Sequence, residues 1–109
     1  MIKYAVSATI DGKVEYLRKS RNNLQFGLSI NALHDDRGAA EAELEWCYEQ
    51  WRLTLEHEIY RVTRAAEEGR LHGGVDAARE YEAKCRTQLA QSSFCVVRIT
   101  FENLPAYTL

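Results

Sequence analysis

Histidine, cysteine, serine and the acidic side chains are where chemistry would begin. In this chain of 109 residues they are scattered. His34, His57 and His72 do not fall at ligand spacing. Glu56-His57-Glu58 has neither an HExxH nor an ExxH frame around it, so His57 has no second ligand one helical turn away on its face. Cys47, Cys85 and Cys95 form no CxxC pair. All three lie in apolar patterns, which predicts buried free thiols and a reducing, cytoplasmic setting. Ser92-Ser93 stand beside Cys95 without a base in any local motif, and nucleophilic catalysis needs both a base and an oxyanion donor. The expectation is a non-enzymatic protein with no catalytic residue, no metal and no cofactor.

What remains is chemistry of binding. Glu41, Glu43, Glu45, Glu49, Glu56 and Glu58 crowd the middle of the chain, and the net charge of −2 hides this acidic block between more basic ends. Carboxylates so spaced could imitate nucleic-acid phosphates, although a solvated helix face gives the same pattern. On the basic side, Lys3, Arg18, Lys19 and Arg21 mark a possible nucleic-acid contact, with Tyr4 and Tyr16 as stacking groups. No aromatic motif of the RNA-recognition type accompanies them.

The most specific signal is a long helix with two apolar stripes. One reads Leu44, Tyr48, Trp51, Leu55, Ile59, Val62, Ala66; the other reads Trp46, Leu53, Tyr60, with Ala39 above it. The first repeats every eleven residues and stays nearly straight, which suits one long packing contact. The second steps by seven and points to the opposite side, since Leu53 lies about 180° from Leu44 at 100° per residue. A helix in a small domain needs one apolar face. The second face therefore predicts a protein interface at Trp46, Leu53 and Tyr60, flanked by His57, Glu45 and Glu49. Its most specific form is a homodimer through the long helices.

These residues need elements to hold them. Residues 3–19 read as a hairpin around Asp11-Gly12. A three-residue loop with Gly12 as a left-handed bulge would pair Val6 with Tyr16 and Ala8 with Val14, gathering Tyr4, Val6, Ala8, Val14 and Tyr16 on one face. A two-residue turn would instead pair Val6 with Leu17 and Ala8 with Glu15, so the bulged register is expected. Residues 18–23 are a basic turn. Leu24, Phe26, Leu28 and Ile30 alternate as a third strand. Asp35 or Asp36 caps the long helix, and Gly69 stops it after about 33 residues, roughly 50 Å. A compact domain of this size is only about 26 Å across, so one end should project. Val75 to Gln91 forms a second helix with Val75, Ala78, Cys85 and Leu89 on one face. Residues 93–102 form the last strand, with Cys95, Val97, Ile99 and Phe101 inward, and Pro105 follows it.

The order β-β-β-α-α-β predicts a single domain over residues 1–109 of the α+β class. It would be a four-stranded, mostly antiparallel sheet with the long helix and a second, antiparallel helix on one face. The hydrophobic fraction of 46% and charged fraction of 28% suit a globule of this kind. No stretch approaches the length of a membrane span, and the N-terminus lacks a signal-peptide core.

The opening KYAVSATIDGKVEYLRKS, then NLQFGLSINALHDD, then an alanine- and glutamate-rich helix resembles small proteins of phages and other mobile elements. Many are cytosolic, cofactor-free inhibitors of host machinery, anti-CRISPR proteins among them. The likeness covers residues 1–45 and size. It implies an inhibitor or adaptor that binds a host or defence protein by steric occlusion. The alternative is a small nucleic-acid-binding module using the basic hairpin.

Overall fold

The computed structural model describes residues 2–29 and 33–100. The element order is the one expected: β1 Ile2–Ile10, β2 Lys13–Ser20, β3 Asn23–Phe26, α1 Arg37–Glu67, α2 Gly74–Gln91 and β4 Ser93–Thr100. The sheet is antiparallel throughout in the order β3-β2-β1-β4, so the last strand pairs with the first. Ile30, Phe101, Pro105 and the tail lie outside the described residues.

The first hairpin departs from the expected register. Ile10 pairs with Lys13, Ala8 with Glu15 and Val6 with Leu17, which is a two-residue turn. Asp11 and Gly12 both have positive φ, 52° and 77°. This is the type I′ geometry that Asp-Gly favours, because its twist matches that of the strands it joins. The local turn chemistry therefore overrides the apolar alignment that favoured a bulge. Val14 and Tyr16 consequently lie on the face opposite Val6 and Ala8. A second turn of the same kind, Arg21 (φ 51°) and Asn22 (φ 67°), joins β2 to β3. Residues 18–20 thus belong to a strand and only residues 21–22 form the tip.

The register also inverts β4. Val96 stands opposite Val6 and Phe94 opposite Ala8, so these two face the helix. Cys95, Val97 and Ile99 lie on the other face of the sheet, and Cys95 is exposed. The expectation of three buried thiols holds only for Cys47 and Cys85.

One core lies between sheet and helix: Val6, Ala8, Ile10, Leu17 and Cys47, with Leu24, Leu44, Trp46, Trp51 and Phe94 packed around them. Two edge-to-face aromatic pairs, Phe26 with Trp51 and Tyr48 with Phe94, close its sides. A second, smaller core joins α1 to α2 through Leu55, Ile59 and Cys85, with Trp51, Tyr81 and Leu89 beside them. Ala78 is buried as expected, whereas Val75 is exposed.

The helix α1 has 31 residues, about 46 Å at 1.5 Å each. It starts beside the Tyr4 end of the sheet, where Tyr4 and His34 exchange backbone hydrogen bonds of 2.8 and 2.9 Å. It crosses the sheet and continues past the Asp11 turn. Gly73 (φ 89°) re-aims the chain into α2, and a Cβ there would stand 2.8 Å from that of Ala77. The helix α2 returns antiparallel until Gln88 donates to Asp11 at 3.2 Å. A stalk of two helices thus projects from one end of the sheet, and the molecule measures 57 × 27 × 26 Å.

Candidate functional site

The seven-residue stripe divides along the length of α1. Over the sheet, Trp46 packs on the main core, and the Lys19 ammonium sits 5.0 Å from its ring centroid. That cation–π contact and the indole's burial make it part of the fold. Trp46 is thus partly buried in the fold, and what remains of it lines an open groove. Beyond the sheet, Leu53 and Tyr60 are 44% and 60% exposed. They stand two helical turns apart on the stalk, with His57 exposed between them.

Ion pairs flank this apolar strip. Arg52 donates to Glu49 at 2.5 and 3.1 Å, Arg61 to Glu58 at 2.7 Å, and Arg86 of α2 to Glu56 at 3.3 Å. The Arg52 hydrogen bond holds the Glu49 carboxyl below the usual range, and Arg61 does the same for Glu58. These glutamates stay anionic but are partly neutralised by arginines at helical spacing. Such exposed pairs contribute little stability. Glu45 is exposed and Glu49 is engaged, so the acidic face is smaller than the count of carboxylates suggests.

The basic residues do not gather into one patch. Lys3 pairs with Asp35, Lys19 lies over Trp46, and Arg21 is at the tip of the second hairpin. Lys19 and Arg21 line an open groove with Asn22, His34, Ala42, Glu43 and Trp46. Within it the Glu43 carboxylate accepts from the Lys19 backbone N–H and pairs with His34. This ties the segment before α1 to the sheet. Sequence reasoning did not single out His34–Glu43, because the two meet only through the Tyr4–His34 bridge.

Arg18 lies on the opposite face of β2, which no described helix covers. It shares that face with Tyr16 and Lys3, and with Ala5, Ser7, Cys95, Val97 and Ile99. The Arg18 Nε is buried without a hydrogen-bond partner among the described residues.

Cys47 is fully enclosed, and burial, with Glu43 adding to it, pushes its thiol up to about 12. A thiol so placed is inert. Among the described residues no group of three or more His, Cys, Asp or Glu could hold a metal ion. No described helix is long and apolar enough to cross a membrane. Comparison with protein-family models, with curated proteins and with solved structures finds no match.

Proposed function

We propose that this chain is a non-enzymatic protein-binding module that acts as an inhibitor or adaptor by steric occlusion. The working surface is the outer face of α1 on the stalk, and the partner is another protein, of the host or of a defence system. One observation carries this reading: Leu53 and Tyr60 are large, apolar and exposed on the part of α1 that has left the sheet. Aromatic and aliphatic groups of this kind anchor interfaces because they bury much area with few rotatable bonds. The Glu49–Arg52 and Glu56–Arg86 pairs supply a polar rim. Size and the opening residues favour a phage or mobile-element origin and a cytoplasmic site of action. The test is capture from host lysate on immobilised protein, wild type beside Leu53→Asp with Tyr60→Asp. Loss of a captured protein in the double variant is expected. An identical captured set would remove the reading.

The runner-up reading, a nucleic-acid-binding module, gains one specific support. Tyr16, Arg18 and Lys3 share the face of the sheet turned away from α1, where a base could stack on Tyr16 and a phosphate compete with Asp35 for Lys3. It predicts binding to single strands at low salt that weakens as salt rises and when Arg18 and Lys3 become alanine. Absence of binding at low salt would exclude it.

A further inference from the structure

The two edges of the sheet are built differently. β3 is four residues long and ends at Gly27, whose φ of 114° turns the chain away. β4 has eight residues, SFCVVRIT, about 26 Å at 3.3 Å each. It contains neither proline nor glycine and a single charge, Arg98. Natural sheets usually shorten, bend or charge such an edge, because its free backbone groups invite another strand.

Which groups are free follows from the register. Tyr4 gives both its N–H and its C=O to His34, on the side of β1 that faces β2. Alternation then turns Lys3, Ala5, Ser7 and Thr9 toward β4, where their opposite residues are Ile99, Val97, Cys95 and Ser93. Phe94, Val96, Arg98 and Thr100 therefore direct their N–H and C=O outward. Among the described residues nothing pairs with them.

We propose that β4 pairs antiparallel with β4 of a second copy, making a continuous eight-stranded sheet about a two-fold axis at Val97. A two-fold needs a self-complementary edge, and the alternating donors and acceptors of an antiparallel edge are one. The axis follows by elimination. An axis at Arg98 would set the guanidinium against itself. An axis at Val96 would require the Ser92 N–H, which already donates to the Gln88 and Leu89 carbonyls that end α2. An axis at Val97 uses all four outward residues: Phe94 opposes Thr100, and Val96 opposes Arg98. Four such pairs give about eight backbone hydrogen bonds. Cys95 and Ile99 then meet across the axis on the uncovered face, extending its apolar column. The two stalks project in opposite directions, so this pairing is independent of the outer face of α1.

Sedimentation equilibrium on the purified chain tests this. The expected mass is twice the 12.5 kDa of one chain. Arg98→Pro removes an outward N–H together with an exposed side chain, at an edge position that proline tolerates. It should return the mass to one chain with unchanged circular dichroism. A second variant does not depend on that folding: Val97→Cys with Cys95→Ser. Residue 97 would face its own copy across a non-hydrogen-bonded pair, at a Cα separation of about 4.5 Å that a disulfide can span. Mild oxidation should give a covalent dimer, whereas Ile99→Cys in the same background should not. A monomer at all concentrations, a ladder of species beyond the dimer, or a dimer that neither Arg98→Pro disturbs nor Val97→Cys cross-links would overturn the proposal.

Discussion

The two ends of α1 are made of the same helix and meet opposite fates. Over the sheet, both of its apolar stripes find partners: Cys47 and Leu44 face the strands, and Trp46 is closed over by Lys19. On the stalk, one stripe packs on α2 through Leu55 and Ile59, while Leu53 and Tyr60 meet solvent. A sheet is broad enough to wrap more than one side of a helix, whereas a single antiparallel helix covers one side. The difference teaches that an amphipathic pattern does not decide exposure alone. The width of the partner does.

The largest effects should separate the two cores. Leu17→Ala empties a 3% exposed site in the main core and should cost about 3 kcal/mol or more, within the range for buried leucine. Ile59→Ala, in the smaller core between α1 and α2, should cost less, nearer about 2 kcal/mol, because fewer neighbours surround the cavity. Urea unfolding of both variants measures this, and equal losses would dissolve the distinction between the ends.

A smaller contrast lies within the seven-residue stripe itself. Trp46→Ala should destabilise by about 2 kcal/mol through lost burial. Tyr60→Ala should stay within about 0.5 kcal/mol, as exposed substitutions do. If Tyr60→Ala costs as much as Trp46→Ala, the stalk face is covered in solution. The smallest perturbation is chemical labelling. Cys95 on the uncovered sheet face should react with a thiol reagent in the native protein, while Cys47 and Cys85 react only on unfolding.

Much of this architecture was legible in the residues. The element order and the span of α1 to its Gly69 stop follow from periodicity, the glycine stop and the Asp-Gly turn, whereas the return of β4 beside β1 comes only from the strand pairing. The faces of the strands did not. Phe94, Cys95, Val96 and Val97 are all apolar, so alternation cannot say which pair looks inward. Only the pairing of β4 with β1 decides it. At the first hairpin the decisive signal is Asp11-Gly12, whose turn geometry wins over the alignment of apolar residues on one face. The sheet in fact has apolar residues on both faces. Trp46 could not be told from Leu53 by spacing, because what differs is the sheet beside it and the Lys19 ammonium that β2 places on its ring.

A stalk face that binds a partner can lose its apolar groups without loss of the fold. The most direct measurement takes Leu53→Asp with Tyr60→Asp and reads thermal unfolding and capture of a partner from host lysate side by side. The expected result is a melting temperature within a few degrees of wild type together with loss of the captured protein. A double variant that melts far lower, or that captures the same protein undiminished, would contradict it.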